Sequence, residues 1–284
     1  MDFSKIRLIC CDLDGTLLAP DGSATDGTLA AITRLSEKGI EVVPATGRSI
    51  GAINKRLRHH PAIRYIISSD GSVINDLKTG ERDEELLSGD TLKRVVEIIT
   101  DYEVLFVNHV NGEDVVAAEE ANEEKFEKCN VSPYYRKFIM ERTVRSESRE
   151  KLLSEQSVEF VCGIFACQDD YDAAKARILE IDGVAVASAD PRIMEVVNEM
   201  AGKGNGVIRL AKKLGLPLDC VITVGDGEND LSMIRATPAS FAMENGRDIL
   251  KREARYIACR NSDGLAEYLE GVIEGRIIPK ISSK

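Results

Sequence analysis

The chain has 284 residues, of which 43% are hydrophobic and 30% charged, the profile of a soluble globular protein with length for two domains at roughly 150 residues each. Asp and Glu number 48 against 37 Lys and Arg, a net charge of −11 with no basic block, so the electrostatic footprint needed for nucleic acid is missing. No apolar run reaches the roughly 18 residues of a membrane span, and the N-terminus meets acids too early for a secretory leader.

Three short apolar runs each end abruptly in polar residues: Ile6 to Cys11 before Asp12, Ile40 to Ala45 before Thr46-Gly47-Arg48, and Cys220 to Val224 before Gly225-Asp226. Such runs fit parallel strands buried on both faces. A helical pattern over Asp26 to Glu37, with Leu29, Ile32 and Leu35 at helical spacing and Gly39 as the stop, joins the first two into a βαβ unit. The expected fold class is therefore α/β, a Rossmann-like parallel-sheet core.

From residue 85 to 187 the rhythm changes to a helix over Asp90 to Thr100, strands over Glu103 to Asn108, Val115 to Ala118 and Val158 to Ala166, and a helix over Asp169 to Ile181. This segment carries 22 acidic and 12 basic side chains, nearly all of the net charge. It reads as a smaller α+β cap inserted into a core made of residues 1–84 and 188–284. Core-style signals return at Ile193 to Val197 and at Asn205 to Leu214, and the final IIPKISSK reads as a surface tail. The seven cysteines (10, 11, 129, 162, 167, 220, 259) are odd in number and form no CxxC pair. Cys10, Cys11, Cys162, Cys167 and Cys220 sit in or beside apolar runs, as reduced core thiols of a cytoplasmic protein would.

Ligands of open α/β sheets bind beyond the carboxyl ends of strands. Those ends carry Asp12 and Asp14, two apart and on one side of an extended chain, then Thr46, then Asp226 and Asp230, four apart and together on a helical turn. Any one of these acids could be a cap or turn residue, but four converging carboxylates oppose one another's ionisation unless a cation is present. All-oxygen donors favour Mg²⁺ over zinc or copper, and His59, His60 and His109 have no metal spacing. A carboxylate beside Mg²⁺ can attack phosphorus. The equatorial oxygens then need donors and positive charge, which Thr46, the Gly47 N–H and Lys203 of Gly202-Lys203-Gly204 can supply. A glycine-flanked lysine before a helix is, by itself, more often a solvated surface residue.

The segments DLDGTL (12–17), ATGRS (45–49), AGKGNG (201–206) and GDGEND (225–230) resemble, in order, the four motifs of the haloacid dehalogenase superfamily, and more narrowly of Cof-type phosphatases with a cap between the second and third motifs. SSDGSVI (68–74), DPRIMEV (190–196), MENG (243–246) and NSDGLAEYL (261–269) extend the resemblance across the core, leaving the cap unmatched. It implies that Asp12 forms an aspartyl-phosphate and binds Mg²⁺. It also implies that Asp14 protonates the leaving alcohol and then activates water, with its carbonyl on the metal. Thr46, Gly47, Lys203 and Asn229 would hold the phosphoryl group, Asp226 would bind Mg²⁺ directly, and Asp230 would support the metal site. Arg48 and Asp70 are candidate substrate contacts. Relatives often read Asn-Gly-Ala where this chain has Asp70-Gly71-Ser72, which adds a negative charge near the pocket.

The expected activity is Mg²⁺-dependent hydrolysis of a small soluble phosphomonoester of the sugar-phosphate kind. The alternatives are a phosphomutase using the same aspartyl-phosphate, a phospho-aspartate switch module, which would be far shorter and capless, and a core that has lost activity. Oligomeric state is not legible.

Overall fold

The computed structural model describes residues 1–87, 89–148, 151, 158–187 and 191–282. The chain divides into two compact units, one of Met1–Gly47, Ile53–Asp83 and Gly202–Lys284, the other of Arg48–Ala52 and Glu84–Ala201.

The first unit opens with β1 (Leu8–Cys11), buried throughout. The helix Asp26–Glu37 follows, its first turn capped by Thr25, whose hydroxyl accepts from the Thr28 N–H, and its inner face burying Leu29, Ile32 and Leu35. The chain then enters β2 (Glu41–Pro44), parallel to β1 with Leu8 opposite Glu41 and Cys11 opposite Pro44. Strands β3 (Tyr65–Ser68), β4 (Val73–Asp76) and β5 (Arg82–Glu84) form a three-stranded sheet, and a parallel bridge from Ala45 to Ile67 ties β3 to the end of β2.

The second unit contributes β6 (Val104–Phe106), β7 (Asn108–Val110), β8 (Glu113–Ala117), β9 (Val144–Ser146), β10 (Val158–Phe165), β11 (Val184–Ala187) and β12 (Ile193–Asn198). Its sheet runs β11-β12-β10-β7-β8-β9, with β6 also pairing β10. Helices Gly89–Thr100 and Gln168–Ile178 pack on it through Val95, Ile99 and Ile178 against Phe165 and Val196.

The chain returns through helix Lys203–Lys213 to β13 (Val221–Gly225), β14 (Ala239–Ala242), β15 (Tyr256–Ile257) and β16 (Lys280–Ile281). The core sheet is ordered β16-β15-β14-β13-β1-β2, and every pair in it is parallel except β15–β16. Its interior is Leu8, Cys10, Val43, Ile67, Val207, Leu210, Val221 and Met233. The α/β class and the parallel core sheet are as expected, for the reason the runs suggested: strands covered on both faces are apolar throughout.

Three expectations are corrected, and that for the tail is extended. The expected core strand near 193–197 is β12, which instead pairs antiparallel with β10 and β11, so the chain rejoins the first unit only at Gly202; residues 188–190, the start of the expected return, lie outside the described residues. The final segment is mostly exposed, as a surface tail should be, and Lys280–Ile281 within it also pair with β15 as an edge strand. Cys167 is exposed at the start of a helix and Cys220 is half-buried, whereas Cys10, Cys11, Cys129 and Cys162 are buried. Segment 48–52, counted with the core, belongs to the second unit, where the Ser49 hydroxyl donates to Asp114 at 2.8 Å and His109 pairs with the same carboxylate at 2.9 Å.

Glu270, on helix Leu265–Ile273, accepts from Arg34 at 2.7 Å and Lys38 at 2.9 Å, both on or just after the helix Asp26–Glu37. The Arg34 hydrogen bonds, then those from Lys38, hold its carboxyl at about 2, below the ordinary 4.5. Because the folded value is the lower one, this tie is fully present above about pH 4.5 and is lost as pH falls towards 2. Arg34 and Lys38 are partly exposed, so screening leaves an effect of about 1–2 kcal/mol. Urea denaturation of Glu270→Gln should show that deficit at neutral pH, shrinking as the pH is taken below 4; a deficit independent of pH would contradict the assignment.

Candidate active site

Three neighbouring strands deliver the site. Asp12 follows β1, with its N–H bonded to Val224 O at 3.0 Å; Thr46 follows β2 and bonds Ile67 O at 2.9 Å; Asp226 follows β13. Because β13 and β2 flank β1 in parallel register, all three end at one edge of the sheet.

Between them lies Lys203, the first residue of its helix and only 1% exposed. Its Nζ donates to Asp12 Oδ1 at 2.7 Å and to Asp230 Oδ1 at 2.6 Å. Burial opposes its charge, but Asp12 and Asp230 outweigh burial and hold the ammonium protonated well above the usual lysine range. Asp230 is fully engaged, since Oδ2 also accepts from the Asp226 N–H at 2.9 Å and the Gly227 N–H at 3.0 Å. These bonds close the turn Glu228–Asp230 before the helix Leu231–Ala236, so the four-residue spacing acts through backbone as well as side chain.

Asp12, Asp226 and Asp230 each present a carboxylate oxygen within 4.8 Å of the others. Asp226 Oδ1 accepts from the Thr16 hydroxyl at 2.7 Å, and Oδ2 lies where a Cβ on Gly15 would come within 2.3 Å. Gly15, at φ 78°, is thus required twice, by backbone conformation and by the close approach of Asp226. Burial pushes the Asp12 carboxyl well above its usual range against the pull of Lys203, with Asp230 adding to the rise. Burial also raises Asp226, which Thr16 partly offsets. Three carboxylates to one ammonium leave negative charge in excess, and an all-oxygen set of this kind fits a hard divalent cation such as Mg²⁺. Asp14 departs from the expected four-acid convergence: its side chain is exposed and outside the close group.

Thr46 is buried and Gly47 and Asn229 half-buried around the same edge. Asp70, at the end of β3, is 3% exposed and accepts from Asn229 Nδ2 at 3.4 Å. Arg48 falls in the second unit, where it donates to Ala52 O at 3.4 Å. Sequence reasoning missed the buttresses. Asn245 Nδ2 donates to Gly15 O at 2.8 Å, Thr16 holds Asp226, and the Gly204 N–H donates to Ser232 Oγ at 3.1 Å. Asn245 sits in MENG and Thr16 in DLDGTL, segments whose local pattern carries no sign of these long-range bonds.

The sequence model of the haloacid dehalogenase-like hydrolases matches residues 9–269. The chain belongs to that family and is a phosphatase of its Cof type. It is 27% identical over 271 residues to a putative phosphatase of Streptococcus pyogenes, covering 91% of this chain and 95% of that one. It is 25% identical over 268 residues to a 5-amino-6-(5-phospho-D-ribitylamino)uracil phosphatase of Bacillus subtilis, covering 92% and 94%. A haloacid dehalogenase-like hydrolase from Bacteroides thetaiotaomicron superposes with a TM-score of 0.77 at 23% identity, over 94% of this chain and 99% of that one. A sugar phosphatase of subclass IIB gives 0.77 at 20%, over 95% and 100%. Among the described residues no helix is long and apolar enough to cross a membrane.

Replacing Lys203 by Met would leave Asp12 and Asp230 buried without their cation, a loss of about 3–5 kcal/mol. Chemical denaturation of Lys203→Met should show it; a change under 1 kcal/mol would mean that the ammonium does not hold the loops.

Proposed function

We propose that the protein is a Mg²⁺-dependent phosphomonoesterase that hydrolyses small soluble phosphates through an aspartyl-phosphate on Asp12. The observation that carries this reading is the buried Lys203 ammonium bonded to Asp12 beside Asp226. One Asp12 oxygen is engaged by Lys203, which leaves the other to attack phosphorus in line with the departing ester oxygen. Asp14, exposed two residues on, would protonate the leaving alcohol and then take a proton from water. Thr46, the Gly47 N–H, Lys203 and Asn229 hold the transferred group.

Asp12 and Asp226, with the Asp14 carbonyl, would hold Mg²⁺, and Asp230 would fix the Asp226 turn and Lys203. Bound there, Mg²⁺ neutralises the charge that otherwise repels a phosphate ester. Two named relatives support a phosphate ester on a polyhydroxylated carbon chain as the substrate class, a ribitylamino compound in one and a sugar in the other. Seven free cysteines support a reducing, cytoplasmic setting. Residues 84–201, the bulk of the second unit, would act as the cap that selects the leaving group.

Phosphate release from a panel of sugar and polyol phosphates should require Mg²⁺ and stop with EDTA. Asp12→Asn should abolish it, and Asp14→Asn should lower kcat by about 10²–10⁴-fold. Conversion of one ester into its isomer without free phosphate would overturn the hydrolase reading in favour of a mutase. Separately, Mg²⁺ at about 100 times its Kd should stabilise the fold by about 2.7 kcal/mol, and Asp226→Asn should erase that gain. A melting temperature that ignores Mg²⁺ would remove the metal from the account.

A further inference from the structure

One buried carboxylate in the pocket has no part in the roles above. Asp70 adopts a left-handed backbone at φ 50°, ψ 38°, and its N–H donates to Thr46 O at 3.1 Å. Its carboxylate lies against Gly47, where a Cβ would stand 3.3 and 3.4 Å from the two oxygens. Oδ1 accepts from Asn229, and the buried Oδ2 has no hydrogen-bond partner among the described residues. Its charge also reaches Lys203. Asp70 therefore touches three of the four groups assigned to the phosphoryl oxygens, Thr46, Gly47 and Asn229. An acceptor with no donor on Oδ2 is the wrong partner for an anion.

We propose that Asp70 sets the charge of the phosphoryl pocket, weakening its hold on dianionic phosphate so that the product leaves and doubly charged competitors bind poorly. The proposal rests on the phosphatase reading and deepens it. Inorganic phosphate has the shape of the group just transferred, so a pocket of donors alone would retain it, and product release limits many enzymes of this kind. A buried charge escapes most salt screening, and its repulsion scales with the charge on the anion, so a dianion feels twice what a monoanion feels. The charged groups near Asp70 are Lys203, which is itself bonded to Asp12 and Asp230, and Arg209, which donates to Gly71 O at 3.1 Å and pairs with Asp83; all of them are common to wild type and variant.

Asp70→Asn isolates the charge. Asn tolerates the same left-handed backbone, keeps an acceptor for Asn229 and preserves the side chain's shape. The test measures Ki for inorganic phosphate and for sulfate against hydrolysis of a phosphomonoester by the Mg²⁺-loaded chain, at about pH 7.5 and about pH 5, where phosphate is largely the monoanion. Asp70→Asn should lower the phosphate Ki about tenfold at the higher pH and about threefold at the lower. The sulfate Ki, for an ion doubly charged throughout, should fall by one factor at both. If Asp70→Asn does not fold, Asp70→Gly, which accepts the same backbone, must give the same signature. An unchanged or higher phosphate Ki, or an equal fall at both pH values, overturns the charge-setting role while leaving hydrolysis intact. Absence of hydrolysis by the wild type would instead overturn the phosphatase reading and this proposal with it.

Discussion

Lys203 brings one positive charge into the interior and is met there by Asp12 at 2.7 Å and Asp230 at 2.6 Å. A buried ammonium costs several kcal/mol unless paired, so the helix Lys203–Lys213 can begin where it does only if β1 and the loop after β13 present their carboxylates at that point. The converse holds equally, because Asp12 and Asp230 are buried acids that need the lysine. The contact joins residues 191 and 27 positions apart in the chain, and from it follow the placement of Asp226, the closure of its turn and the surplus of negative charge that suits a divalent cation.

The scaffold meets this demand with parallel strands and small residues. Since β1 lies between β13 and β2, its carboxyl end is flanked by two other strand ends, and a short loop from each suffices to surround one point. The loops approach too closely for side chains. Gly71 faces the Gly202 carbonyl, where a Cβ would come within 2.2 Å, and Gly204 faces the Ser232 carbonyl at 2.5 Å. These glycines let backbone meet backbone just where the lysine enters. Rigid elements thereby hold the reacting groups.

Much of this was legible in the sequence because local patterns and the site coincide. Apolar runs broken by acids mark buried parallel strands whose ends carry chemistry, and Asp12, Thr46, Asp226 and Asp230 fall at those breaks. What was not legible depends on contacts between distant segments. AGKGNG looks like a solvated turn until Asp12 and Asp230 are seen to enclose Lys203. The β12 run is as apolar as a core strand, and only its antiparallel partners β10 and β11 assign it to the second unit. The tail reads as surface and is mostly exposed, but the pairing of two of its residues as an edge strand leaves no mark in the sequence. Asn245 and Thr16 act through single long-range hydrogen bonds, which leave no periodic trace. Asp14 shows the limit of two-residue spacing: the turn at Gly15 carries it out of the group that Asp12 joins.

The central claim is that the phosphoryl group passes through Asp12, and the most direct measurement is peptide mass mapping of the chain quenched in acid during turnover. In Asp14→Asn, acting on an ester whose leaving group needs little protonation, loss of the group that activates water should slow hydrolysis of the acyl-phosphate more than its formation. The peptide containing Asp12 should then carry a phosphoryl group that disappears when Mg²⁺ is withheld. Turnover with no phosphoryl mass on that peptide, or with the mass on another residue, would contradict the account.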